Sequence, residues 1–156
     1  MIKALLLDFN GVVIDDEPIQ QAIYSELLAA EGIVLTEEMY YSRLGMDDKT
    51  FVASFLDEAG KPSGVDRVLE LTTAKTQKWR ETVARELPLF PGIENFIRKS
   101  ANEFAMGLVS MSKREEIDFV LESAGLADCF PIVINNRGVI RTVRVSILRA
   151  SLPFVC

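Results

Sequence analysis

The chain opens on Ile2-Lys3-Ala4-Leu5-Leu6-Leu7, a short apolar run that stops on an acid, Asp8, and is followed by Phe9 and then Asn10-Gly11. An apolar run of this length bounded by turn residues reads as a buried strand that opens into a tight loop at its carboxyl end. Two later segments have the same character. Residues 104–109 run into Ser110-Met111-Ser112, and residues 132–135 form a third apolar stretch. Three such strands separated by helices imply a parallel sheet covered on both faces, with ligands bound at the carboxyl ends of the strands.

The intervening residues have helical spacing. Residues 18–31 carry Ile19, Ala22, Ile23, Leu27 and Ala30 on one side, with Pro18 in the first turn and Gly32 past the end. Thr36-Glu37-Glu38 caps a second helix that ends near Gly45. Residues 48–59 form a third, with Phe51, Phe55 and Ala59 on a stripe and Gly60 as its stop. After the Lys61-Pro62-Ser63-Gly64 turn, Val68, Leu71, Lys75, Trp79 and Val83 recur at three- and four-residue steps along a long helix from 65 to about 86. Pro88-Leu89-Phe90-Pro91-Gly92 breaks the pattern, and further helices cover 93–103 and 113–123. The helical run between strands one and two does not fit simple alternation. It reads as an inserted cap over the strand ends, giving a core of 1–15 and 88–135, a cap of 16–87 and an atypical tail of 136–156.

Composition excludes several classes. The hydrophobic share is 49%, the charged share 26% and the formal net charge −6, so there is no broad attraction for nucleic acid or anionic membrane. No apolar run approaches the ~20 residues of a membrane-spanning helix. Asp8 interrupts the only signal-like segment, no small-residue cleavage site follows, and a cytoplasmic location is expected. Cys129 and Cys156 are too few and too far apart for a disulfide framework or a metal cluster. The chain has no histidine, which removes Ser-His-Asp and Cys-His nucleophiles and any zinc site built on His. Chemistry here rests on carboxylates, hydroxyls, lysines, backbone amides or an oxygen-ligated metal.

Asp8 suits that chemistry. A carboxylate can attack phosphorus, and it is a hard ligand for Mg²⁺. Alone it is more simply explained as an acid in a turn. Ser110, with amides at the start of the next helix, can hold phosphate oxygens, although alone Ser110 and Ser112 would be ordinary helix caps. Two phosphate-compatible strand ends in one α/β chain are harder to explain so simply.

The segment Leu5-Leu6-Leu7-Asp8-Phe9-Asn10-Gly11-Val12-Val13-Ile14-Asp15-Asp16-Glu17-Pro18 resembles the first motif of the haloacid dehalogenase superfamily. More narrowly, it resembles the β-phosphoglucomutase-like branch, whose pattern is an apolar strand, Asp-Phe-Asp-Gly-Val, two residues, then Asp-Ser-Glu-Pro. Ser110 falls at the second motif. Pro88-Leu89-Phe90-Pro91-Gly92 resembles the return from the cap, and Leu44-Gly45-Met46-Asp47-Asp48-Lys49 resembles the cap's substrate-facing loop. The match runs from residue 1 to about 134. It implies a Rossmann-like core, incomplete at its carboxyl end, with an α-helical cap. It further implies a Mg²⁺-dependent phosphatase of small phosphorylated metabolites such as sugar phosphates. In that reading Asp8 forms an aspartyl-phosphate, and Asp8 with the backbone carbonyl of Asn10 binds the metal. Gly11, Ser110, the Met111 amide and Ser112 hold the phosphate. Glu17, Gln20, Gly45 and Lys49 close the cap and sort substrates.

The chain also departs from the family. Asn10 stands where a second Asp ordinarily does general acid–base work, and an amide cannot donate and retake a proton at neutral pH. Gln20 stands where many relatives have a cap histidine. After Asn135 the expected Lys-Pro segment and metal-binding acids do not follow. All 23 acidic residues lie at or before Asp128, and only arginines such as Arg141 and Arg144 offer a cation. These features suggest a truncation or frameshift near codon 135, weak or absent turnover, and self-association through an uncovered sheet edge, with Phe154-Val155-Cys156 adding apolar surface. The alternative is a non-catalytic protein that binds a phosphorylated ligand or a partner. A carbon–halogen hydrolase is disfavoured because residues 9–18 resemble the phosphate branch.

Overall fold

The structure, a computed structural model, describes residues 2–135 and the backbone of 138–142. In chain order it contains β1 (Ala4–Asp8), α1 (Glu17–Ala30), α2 (Glu37–Tyr41), α3 (Asp48–Glu58), α4 (Val65–Arg85), α5 (Ile93–Ala101), β2 (Ala105–Val109), α6 (Arg114–Ser123), a short 3-10 turn (Ala127–Cys129), β3 (Ile132–Asn135) and β4 (Gly138–Thr142). This is the α/β architecture that the alternating pattern implies, with the helical block between the first two strands.

Local chemistry accounts for several helix ends. Thr36 accepts a hydrogen bond from the Met39 amide at the start of α2, and Asp47 accepts from the Lys49 and Thr50 amides at the start of α3. At the end of α3, Gly60 takes φ +63°, which lets its own amide reach the Asp57 carbonyl and the Lys61 amide reach the Leu56 carbonyl. The second helix is shorter than its expected reach to Gly45. It stops at Tyr41, and single turns carry the chain onward.

The sheet order is β1-β2-β3-β4; the first three strands are parallel, and β4 is antiparallel to β3. The atypical tail therefore contributes β4 as an edge strand; its remainder, with Arg144 and 154–156, lies outside the described residues, as does the side chain of Arg141. In register, Leu6 lies beside Gly107 and Gly107 beside Ile132, while Leu7, Leu108 and Val133 form the next row.

Both crossovers step in the same direction along the sheet. With right-handed connections, such steps put α5 and α6 on the same face. There Leu5, Leu7, Met106, Leu108 and Val133 pack against Ile97 of α5 and Ile117, Val120 and Leu121 of α6. The expectation of a strand buried on both faces is therefore corrected. On the other face Leu6 is 67% exposed, Val109 41% and Ile132 44%.

A second apolar cluster joins α1–α4 through Tyr24, Leu28, Phe51, Phe55, Leu56, Val68 and Leu71. Helix α4 spans both clusters. Val68 and Leu71 belong to the helical one, Trp79 and Val83 to the one under the sheet, and the buried Lys75 sits between them. On α1 the buried positions are Ile23, Tyr24 and Leu28, whereas Ala22 and Ala30 face outward. The segments leading into α1 and out of α4 run side by side, with the Asp15 amide on the Pro88 carbonyl at 2.7 Å and the Phe90 amide on the Val13 carbonyl at 3.2 Å. Among the described residues, no helix is long and apolar enough to cross a membrane.

Candidate active site

The pairing of Asp8 with Val109 brings the loops after β1 and β2 to the same edge of the sheet. After β1 the chain curls back so that the Phe9 carbonyl accepts the Val13 amide at 2.8 Å and the Ile14 amide at 3.0 Å. Gly11 makes that curl possible by taking φ +75°, the left-handed region that costs other residues a Cβ clash. The Phe9 amide donates to Asp8 Oδ1 at 2.7 Å and fixes the carboxylate at the loop's mouth.

The β2 loop closes on itself and on Asn10. The Ser112 amide donates to Ser110 Oγ at 3.0 Å, and the Ser112 hydroxyl donates to Asn10 Oδ1. Asn135 Nδ2 reaches the Ser112 carbonyl at 3.4 Å, and the Ser110 amide donates to the Ile134 carbonyl, tying in the end of β3. Helix α6 begins only at Arg114, with Lys113 as its first flanking residue. Ser110 and Ser112 are therefore not its caps, and the expected helix start at 113 moves by one residue.

Of the residues singled out from the sequence, Asp8, Asn10, Glu17, Gln20, Gly45, Lys49, Ser110, Met111 and Ser112 all line one cavity of about 730 Å³. It lies between the strand ends and helices α1–α4. Gly11 shapes the loop but is exposed and does not line that cavity. Glu17 accepts from the Tyr40 hydroxyl at 2.9 Å, and Gln20 donates to Asp16 at 2.8 Å. Burial, together with Glu17, pushes the Tyr40 hydroxyl well above its usual range.

Sequence reading missed the charged cluster on the cavity's other wall. Lys75 Nζ lies 3.4 Å from both Asp48 Oδ1 and Glu116 Oε1, and Lys113 Nζ lies 2.8 Å from Asp48 Oδ2. The Tyr24 hydroxyl donates to Asp48 at 2.6 Å, and Lys113 donates to Thr76 Oγ1. The two acids around Lys75 respond oppositely. For Asp48, burial acts upward, but Lys75, Lys113 and the Tyr24 hydrogen bond together hold it below the ordinary carboxylate range. For Glu116, burial wins over Lys75 and pushes it up, because its close partner is a single ammonium at 3.4 Å. Burial and then Asp48 push Tyr24 far above its usual range. A signal was available: Lys75 and Glu116 each occupy an apolar stripe, and a charge at such a position calls for a partner.

For a hard divalent cation, Asp8 and the neighbouring main-chain carbonyl of Asn10 supply oxygen donors of the right type. Among the described residues no group of three or more acidic, cysteine or histidine side chains gathers around such a position. Mg²⁺ tolerates such a sparse set, because it keeps several waters and takes one or two carboxylates plus phosphate oxygens.

Comparison with known proteins bears on the family and the fold. Residues 2–142 match the haloacid dehalogenase-like hydrolase family. CbbY of Rhodobacter capsulatus is 24% identical over 140 residues, 85% of this chain and 62% of CbbY. The chain spans 60–62% of the length of the curated relatives it matches. Among solved structures, β-phosphoglucomutase from Clostridium difficile superposes with a TM-score of 0.73 at 22% identity, covering 86% of this chain and 62% of that one. CbbY from Rhodobacter sphaeroides in complex with phosphate gives 0.72 at 20% identity, over 86% and 64%. At these identities the structural likeness speaks for the fold, and the family match extends it to sequence. With its α/β core, its helical insertion and Asp8 at the end of β1, the chain belongs to the haloacid dehalogenase-like hydrolase family.

Proposed function

We propose that the protein is a phosphohydrolase of small phosphorylated metabolites, such as sugar phosphates, in which Asp8 is the nucleophile. The observation that supports this reading most directly is the meeting of Asp8 and Ser110 at one cavity mouth, joined through Asn10 and Ser112. The Phe9 amide holds Asp8 Oδ1 and leaves Oδ2 for attack. The Asp8–phosphorus bond forms as the ester oxygen leaves, and water then attacks phosphorus to release phosphate and restore the carboxylate. Ser110 Oγ already accepts the Ser112 amide, so its own proton is available to a phosphate oxygen. With the Met111 amide it forms the phosphate seat, which Ser112 braces through its bonds to Ser110 and Asn10. A Mg²⁺ held by Asp8 and the Asn10 carbonyl would offset the charge of the incoming phosphate. Helices α1–α4 act as the cap, with Glu17, Gln20, Gly45 and Lys49 facing the substrate's distal part and limiting water.

Asn10 limits this chemistry. Its Oδ1 accepts Ser112 and its Nδ2 donates to Asp16, and an amide transfers no proton at neutral pH. The leaving oxygen departs without a positioned acid, so aryl phosphates turn over faster than alkyl phosphates. The test is hydrolysis of a chromogenic aryl phosphate and a panel of sugar phosphates, with and without Mg²⁺, beside Asp8→Asn. Mg²⁺-dependent turnover abolished by Asp8→Asn supports the proposal. Turnover equal to that of the variant in a folded chain would favour a second reading, phospho-ligand binding without catalysis, for which an amide at position 10 in place of a proton-transferring acid already speaks.

A further inference from the structure

Directly behind the cavity wall lies a carboxylate that the mechanism above does not use. Asp16 is 0% exposed, and it does not line the cavity. Its Oδ1 accepts Asn10 Nδ2 at 2.8 Å, while Oδ2 accepts Gln20 Nε2 at 2.8 Å and Trp79 Nε1 at 2.7 Å. No lysine or arginine among the described residues forms an ion pair with it. Among the described residues these N–H donors are what its carboxylate receives, which makes each of them costly to remove.

The arrangement also decides how Asn10 stands. With Nδ2 committed to Asp16, Oδ1 must face the Ser112 hydroxyl. Rotating the amide by half a turn would set oxygen against oxygen at the same separation. An aspartate at position 10 would do so in either orientation, and Asp16 would exchange a donor for a second acceptor.

The two residues are also the two changed positions of the first motif. The pattern quoted above has Asp where Asn10 stands and Ser where Asp16 stands. The departures touch each other, as though the carboxylate had moved one layer back from the cavity wall.

We infer that Asn10 and Asp16 are an interdependent pair, in which buried Asp16 is a positioning residue that fixes the Asn10 amide, and neither position tolerates the other's change alone. The obvious repair of the motif, Asn10→Asp, therefore fails by itself, whereas exchanging the two residues keeps every hydrogen bond. In Asn10→Asp/Asp16→Asn, the new amide at 16 donates forward to the carboxylate at 10. Its oxygen accepts Trp79 and Gln20, and Ser112 still donates to residue 10.

The test is a four-member cycle of thermal unfolding in the intact chain: wild type, Asn10→Asp, Asp16→Asn and the exchange. Asn10→Asp is expected to lower Tm by on the order of 5 °C, and the exchange to recover at least half of that loss although Asp16→Asn lowers Tm too. An Asn10→Asp protein that melts with the wild type, or an exchange that loses the sum of the single losses or fails to fold, overturns the inference. A second readout separates positioning from mere support. The Asn10 side-chain amide protons are expected to exchange with solvent more slowly in the wild type than in Asp16→Asn; equal exchange in the two overturns the positioning role. Turnover is a separate arm that rests on the phosphatase reading. The exchange returns a carboxylate to the cavity wall and should raise sugar-phosphate hydrolysis by about tenfold or more. Coupled Tm values without that gain would count against the phosphatase and leave the pair standing.

Discussion

Replacing Lys75 with methionine removes the one ammonium that pairs with Glu116 among the described residues. Lys75 is 2% exposed, and its Nζ sits 3.4 Å from Glu116 Oε1 and 3.4 Å from Asp48 Oδ1. The two acids lose unequally. Asp48 keeps Lys113 at 2.8 Å and the Tyr24 hydroxyl at 2.6 Å, whereas Glu116, 5% exposed, loses the one cation that pairs with it among the described residues. Removing one member of a buried ion pair costs about 3–5 kcal/mol. Glu116 can escape part of this by taking up a proton, and methionine retains most of the lysine stem's packing, so the lower end, about 3 kcal/mol, applies. For a chain of this size that corresponds to a Tm lower by roughly 6–12 °C.

The pH dependence follows from the sign of the shift. The folded-state value of Glu116 is raised, so its contribution to stability is complete below the ordinary glutamate value of about 4.3 and is lost as pH rises through the higher folded value. Without Lys75 that folded value rises further. The deficit of Lys75→Met should therefore be smaller in melts at pH 5 than at pH 7. Adding Glu116→Gln, which removes the stranded charge, should recover much of the loss at pH 7. A deficit within about 2 °C, or one that ignores both pH and Glu116→Gln, would refute the claim that the cluster is a desolvated, mutually dependent set.

Trp79→Phe withdraws one of the three donors from fully buried Asp16 and also leaves a small cavity where the indole packed, so it should cost at least about 1–3 kcal/mol in a denaturant titration; an unchanged midpoint would mean that Asp16 finds another donor. Gly107→Ala places a Cβ 2.5 Å from Leu6 Cδ2, but Leu6 lies on the open face and can swing away. The cost should stay below about 1 kcal/mol, and a larger one would show that this face is covered in solution. On the phosphatase reading, kcat should fall steeply as the leaving group becomes more basic, because Asn10 provides no acid; a flat dependence would require a proton donor other than residue 10.

Much of the fold was legible because periodicity carries it. The apolar runs gave β1, β2 and β3 to within two residues, the 3.6-residue stripes gave α1, α3 and α4, and the segments between the strands gave α5 and α6. The meeting of Asp8 with Ser110 was legible too, since both sit at carboxyl ends of parallel strands. What escaped depends on direction and on distant pairing. Periodicity does not say that successive crossovers step the same way, and that step leaves Leu6 and Val109 uncovered. Nor does it pair Lys75 with Glu116, 41 residues apart, although a lysine on a buried stripe hinted at a partner. Asp16 entered the sequence reading only as one position of the first motif; its side chain caps no helix and instead receives Asn10, Gln20 and Trp79.

The central claim is that Asp8 takes the phosphoryl group. It is tested most directly by incubating the protein with a chromogenic aryl phosphate and Mg²⁺, quenching with acid, and locating covalent phosphate by peptide mass spectrometry. One phosphoryl group on the peptide containing Asp8, absent from Asp8→Asn and diminished without Mg²⁺, is the predicted result. Turnover with no label at Asp8, or with the label on another residue, would contradict the account.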